Sequence, residues 1–329
     1  QALGGTGGLK IGADFLKKIN PNAKVLISDP SWENHRALFT HAGFSVGTYA
    51  YYDAHQRGVN FQGMLDSLRQ AEAGTVVVLH ACCHNPTGVD LDEKTWKEVV
   101  DICAERELFP FIDFAYQGFA EGLVPDSKPI QMFANKGLTF FVTNSFAKSF
   151  SLYRERVGAI SIVTGSEKEA KAVTSQLKKI VRMIYSSPPS YGAQLAAIVL
   201  AHPELRLLWE KELGEMRERI HEMRHLLAQK FKETLPERDF SFILKQQGMF
   251  SYSGLSVEVM KALREKPEGV NGWQGPYLPQ DVPTDPWGRA YVYKYPGEHG
   301  DEPDIISYGA DGQPGGTDMN EDIVSWKSK

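Results

Sequence analysis

The sequence predicts an α/β fold in which a mostly parallel sheet lies between layers of helices. Two observations carry this prediction. Short apolar runs of strand length alternate with longer stretches of helical period, and an ionisable residue, Asp113, closes one of the runs. Strands covered on both faces read as unbroken apolar segments, and sheets of this kind bind ligands beyond the carboxyl ends of their strands.

Along the chain, Gly4-Gly5-Thr6-Gly7-Gly8 precedes a helix through Leu9, Ala13, Leu16 and Ile19. Its backbone N–H groups and positive dipole end suit an anion, although a glycine-rich run of this spacing is by itself as readily a plain turn. Residues 25–28 and 75–80 read as buried strands. After the second comes His84-Asn85-Pro86-Thr87-Gly88, a turn with the makings of a cis proline. A helix is expected over 96–107, then strands over 109–113 and 138–143. From 190 to 231 the spacing of Leu195, Ile198, Leu205, Leu208, Leu213, Met216, Ile220, Met223 and Leu227 predicts long amphipathic helices broken at Pro203. These read as packing rather than chemistry.

With 329 residues, 42% hydrophobic and 23% charged, the chain has the composition of a globular protein of about two domains. A net charge of −5 without a basic cluster argues against a nucleic-acid surface. No apolar run approaches the ~20 residues of a membrane span, and no signal peptide is expected. Cys82, Cys83 and Cys103 form neither a disulfide framework nor a metal-ligand spacing, which fits a reducing compartment. A seam follows Glu258: the stretch beyond it holds 10 of the 30 Gly, 8 of the 18 Pro and the whole excess of acidic residues.

Several residues have the means for chemistry. Lys148 follows a strand in Asn144-Ser145-Phe146-Ala147-Lys148, where an amine can form an imine while Ser145 and Arg156 hold an anion. Asp113 sits among apolar and aromatic residues near Tyr116, so its buried charge needs a cationic partner, unless it caps the next helix. His84 is either a site residue or a packed imidazole, and Cys82 and Cys83 read as small buried residues.

Taken together, GGTGG, SDPSWENH, CCHNPTG, DFAYQGF, NSFAKSFSLYRERVG, VRMIYSSPP and QQGMFSYSGL resemble the aspartate and aromatic amino-acid aminotransferases across residues 1–258. The resemblance implies the fold type I large domain of pyridoxal 5′-phosphate enzymes, with the start of a small domain. It implies that Lys148 is the Schiff-base lysine and proton carrier, that Asp113 pairs with the pyridine nitrogen, and that Tyr116 and Asn85 bond the ring 3′ oxygen. Trp32 would stack on the ring with His35 behind it. Gly5, Thr6, Ser145 and Arg156 would hold the phosphate. Arg182 would take the distal carboxylate of a dicarboxylate substrate across a homodimer, with Trp32 and Asn85 also touching substrate. The expected reaction is transamination between an aromatic or dicarboxylic L-amino acid and a 2-oxo acid such as 2-oxoglutarate, in the cytoplasm, with a leaning toward the bacterial aromatic branch. The family's N-terminal arm and the end of its small domain are not among these motifs, so impaired turnover is expected.

Residues 259–329 resemble instead the C-terminal part of a type II secretion major pseudopilin, through ALREKPEGVNGWQGPYL, VPTDPWGRAYVYKYPGEHG and DIISYGADGQPGGTDMNEDIVSW. That likeness implies short strands and a calcium site at Asp311, Asp318 and Asp322, and it offers a structural, periplasmic reading as the alternative. The two likenesses meet within 256–266 and together read as a fusion.

Overall fold

In the computed structural model, residues 1–255, 261, 289, 292–294, 304–317 and 322–324 are described. The chain divides into two units, Gln1–Ser253 and Gly254–Lys329.

The first unit opens with β1 (Ala2–Leu3) and α1 (Gly4–Ile19), then β2 (Lys24–Asp29), α2 (Glu33–His41) and β3 (Ser45–Ala50). A small hairpin of β4 (Tyr52–Asp53) and β5 (Gly58–Val59) leads into α3 (Phe61–Gln70) and β6 (Val76–His80). Next come α4 (Glu93–Glu105), β7 (Phe109–Phe114), α5 (Lys128–Asn135), β8 (Phe140–Ser145) and β9 (Val157–Val163). The helices α6 (Glu167–Tyr185), α7 (Tyr191–Ala201) and α8 (Pro203–Thr234) follow, the last two separated at His202 and Pro203.

Seven strands form one sheet in the order β1-β9-β8-β7-β6-β2-β3. β3, β2, β6, β7 and β8 are parallel, and β9 and β1 add antiparallel pairings at one edge. Successive side chains of a strand face opposite ways, and β6 shows why an unbroken apolar run suits this position. Val77 and Leu79 join a core with α3, α4 and α5, while Val76 and Val78 join the opposite core with α1 and α2. Fully burying each such side chain contributes about 1.5–3 kcal/mol.

The sequence expects α1 to begin after the glycine run, but the helix starts at Gly4. Glycine is a poor helix former, costing about 1 kcal/mol relative to alanine, so packing explains the early start. α1 lies so close to the sheet that a Cβ on Gly12 would come within 2.5 Å of the Phe111 ring. At the other end of the helix, Gly4 takes φ +69° and its N–H donates to the Arg156 carbonyl at 2.8 Å.

In the second unit, β10 (Val292–Lys294), β11 (Asp304–Ser307) and β12 (Ile323–Val324) form an antiparallel sheet in that order. Arg289 donates to the carbonyls of Gly309 and Ala310, at 2.7 and 2.8 Å. The seam expected at Glu258 lies outside the described residues. No helix among the described residues is long and apolar enough to cross a membrane.

Candidate active site

The sheet reverses its strand order beside β2, where β3 lies on one side and β6 on the other. Loops leaving the carboxyl ends of β2 and β6 therefore part, and a crevice opens there. Trp32 follows β2; His80 ends β6; and Asn85 follows in a turn whose Asn85–Pro86 bond is cis. Asp113 stands in β7 with Ala115 and Tyr116 just beyond, Ser145 ends β8, and Lys148 comes three residues later. The N-terminus of α1 adds Gly5 and Thr6. These residues line one cavity of about 200 Å³, with Leu9, Ala147, Tyr153 and Arg156. The structure thus brings together all nine residues that the sequence assigns to a cofactor.

One wall is built around a buried charge. Burial alone would raise the Asp113 carboxyl, but the hydrogen bond from His35 and the nearby Lys148 ammonium outweigh it and hold the group below the ordinary carboxylate range. His35 Nε2 lies 2.8 Å from Asp113 Oδ2, and its Nδ1 lies 3.1 Å from Ser31 Oγ. Asp113 caps no helix, since it lies inside β7 paired in register with His80. Behind it, burial and the neighbouring His35 push His80 down to about 3, so its ring is neutral. His84 is a packed imidazole: Nε2 meets Ser28 Oγ and Nδ1 meets Thr87 Oγ1, both at 2.8 Å.

The opposite end suits an anion. Leu3 provides no side-chain cap to α1, and apart from the Gly4 N–H, which the Arg156 carbonyl accepts, the helix presents its positive end to the cavity. Arg156, in a left-handed conformation at φ 50°, and Ser145 stand beside it. A Cβ on Gly5 would sit 3.1 Å from the Ser145 Cβ, so the absence of a side chain keeps this end open.

Between the two ends, Lys148 Nζ lies 4.7 Å from the centre of the Tyr116 ring. Desolvation lowers the Lys148 pKa, with Arg156 adding to the effect and Asp113 opposing it. Burial, followed by the Asp113 charge, raises the Tyr116 hydroxyl, which the Asn85 side chain hydrogen-bonds. Trp32 stands edge-on to His35, ring centres 5.2 Å apart.

Four residues singled out by the sequence are not among these. Arg182 is exposed near the end of α6 and does not line the cavity. Asp318 lies outside the described residues. Asp311 accepts from the Gln313 amide at 3.0 Å and Asp322 from the Gly315 amide at 2.9 Å, so both carboxylates engage backbone. Sequence reasoning treated His80 only as the end of a strand and passed over Tyr153. A histidine ending the strand next to Asp113 was the available signal for the first; the loop holding Tyr153 carries no periodic pattern.

Comparison with known proteins gives the same picture. The family model for aminotransferase class I and II matches residues 1–290. The aspartate aminotransferase of Pseudomonas aeruginosa is 55% identical over 264 residues, 80% of this chain and 66% of the relative. The aromatic-amino-acid aminotransferase of Escherichia coli is 49% identical over 266 residues, 81% of this chain and 67% of the relative. Among solved structures, the aromatic-amino-acid aminotransferase of Burkholderia pseudomallei, covalently bound to pyridoxal phosphate, matches with TM-score 0.79 and 59% identity, covering 80% of this chain and 66% of that one. This chain therefore spans about two thirds of the length of these relatives. It belongs to the class I and II aminotransferase family.

Proposed function

We propose that the chain binds pyridoxal 5′-phosphate through Lys148 and carries the core of a transaminase acting on aspartate-like or aromatic L-amino acids and 2-oxo acids. The observation that carries this reading is one cavity lined together by the Lys148 amine, the buried Asp113 carboxylate and the anion-suited group of Gly5, Thr6, Ser145 and Arg156. The residues present fit the cofactor. Gly5, Thr6, Ser145 and Arg156 would hold its phosphate; Asp113 its ring nitrogen; Asn85 and Tyr116 its phenolic oxygen; and Trp32 its face. When bound, it supplies an aldehyde for amines and an electron-withdrawing ring for the carbon that loses its proton.

The chain's own residues do the rest. Asp113, kept ionised by His35, would keep the cofactor's ring nitrogen protonated. Desolvation brings the Lys148 amine closer to neutrality, as a group that must both give and take a proton requires. Leu9 and Tyr153 line the same cavity as the amine. Arg182 would bind the distal carboxylate of a dicarboxylate substrate, in a homodimer, by bidentate pairing.

Incubating the chain and pyridoxal phosphate with 2-oxoglutarate and either aspartate or phenylalanine, and measuring glutamate, tests the reading. Glutamate formation lost in Lys148→Ala is the expected result. Its absence with every amino donor, in protein shown to carry the cofactor, would limit the chain to cofactor binding.

A further inference from the structure

The cavity wall holds a group of donors that the proposed reaction uses only in part. His35 Nε2, a nitrogen of His80 and a carboxylate oxygen of Asp113 all lie within 4.8 Å of one another. Both ring nitrogens of His80 are buried and have no hydrogen-bond partner. Leaving such atoms unpaired in the interior is unfavourable, so the ring is a ligand in search of a partner. We propose that the cofactor-free protein binds a first-row divalent cation such as Zn²⁺ at His35, His80 and Asp113, and that this ion excludes pyridoxal phosphate from the same cavity.

Donor type, lone-pair availability and geometry all point this way. Two imidazoles and one carboxylate are the ligands that borderline cations prefer. Neither ring nitrogen of His80 is engaged by a hydrogen-bond partner, so a lone pair is available, as a metal requires. His35 Nε2 and Asp113 Oδ2, hydrogen-bonded at 2.8 Å, need to part by only about half an ångström to reach the roughly 3.4 Å between neighbouring ligands of one tetrahedral ion, each about 2.0–2.2 Å from it. With Nε2 on the ion, the ring proton resides on Nδ1 and is accepted by Ser31 Oγ at 3.1 Å. This is the outer hydrogen bond that orients metal-binding histidines.

No two donors on one ion lie more than about 4.2 Å apart, so only a modest rotation of the His80 ring is needed to close 4.8 Å. The His80 and Asp113 side chains open onto the cavity, which gives the ion its route and leaves its remaining positions to water. Binding breaks the His35–Asp113 hydrogen bond and takes up no co-reactant. Because Asp113 cannot serve the ion and a pyridine nitrogen together, the two ligands compete. The competition rests on the cofactor reading above, whereas the metal site itself does not.

The test uses the full chain stripped of cofactor, with Zn²⁺ as the probe. Equilibrium dialysis should show one Zn²⁺ per chain, lost in His80→Gln and weakened about tenfold in Ser31→Ala. Circular dichroism establishes that each variant is folded; if His80→Gln is not, Ser31→Ala and the competition decide. At a free Zn²⁺ concentration ten times its dissociation constant, the apparent dissociation constant for pyridoxal phosphate should rise about tenfold. No Zn²⁺ bound to the wild-type chain, or binding unchanged in folded His80→Gln, would overturn the site. Zn²⁺ bound without effect on an otherwise normal cofactor titration would overturn the competition. A chain that binds Zn²⁺ at these residues yet never binds pyridoxal phosphate would instead refute the cofactor reading.

Discussion

Asp113 is ionised inside a protein core because His35 stands 2.8 Å away, itself fully buried and held from behind by Ser31. Breaking such a pair leaves a buried charge without compensation. His35→Leu should therefore lose about 3 kcal/mol of stability at pH 7, read by urea denaturation. The loss should shrink at pH 5, because the stranded carboxyl becomes protonated there. The imidazoles set a second pH dependence. His80 is depressed to about 3 and His84 is also lowered, both chiefly by burial, so the contribution of each to the folded state is complete above its unfolded value of ~6.5 and is lost progressively as pH falls from there to its folded value. Asp90, raised by burial to about 6, works in the opposite sense, its contribution growing as pH falls from about 6. The two histidines outweigh it, so stability should decline as pH drops from 6.5 to 5. The decline should be smaller by about 2 kcal/mol in His80→Gln, and an equal slope in that variant would contradict the assignment. At this scale most of the site was legible, because each residue sits in a motif of distinctive composition. The His35–Asp113 bond was not, since it joins two positions 78 residues apart.

The elements explain why these residues converge. Strands over 109–113 and 138–143 could be read from the sequence because a strand buried on both faces must be apolar throughout, and they appear as β7 and β8. β1 could not, since two residues form a strand only by pairing with β9. The early start of α1 was hidden for a related reason: its glycines look like a loop until Phe111 and Thr143 are seen packed against them. The loop after β7 depends on Asp126, whose buried carboxylate accepts from the backbone N–H groups of Gly118, Ala120, Glu121 and Gly122, at 2.8–3.2 Å. Asp126→Ala would strand these donors and should cost about 3 kcal/mol, visible as a lower midpoint of thermal unfolding. A midpoint shift under one degree would show that water replaces the carboxylate without loss.

Over the whole molecule, the first unit contains the sheet, both cores and the cavity, while the second has a separate antiparallel sheet. Relatives named for aspartate and for aromatic amino acids match similar shares of the chain, and the proposed reading gives the choice between such substrates to Arg182. Arg182→Leu should raise KM for aspartate by tenfold or more and leave phenylalanine within about twofold, because only the first loses a charged partner. Equal effects on both would remove Arg182 from substrate recognition.

The most direct test of the account is the absorption spectrum of the purified chain mixed with pyridoxal phosphate, before and after gel filtration. The account predicts a visible band that stays with the protein, shifts as pH is varied, and is missing from folded Lys148→Ala. A band of equal strength in that variant, or cofactor that separates completely from the wild-type chain, would contradict it.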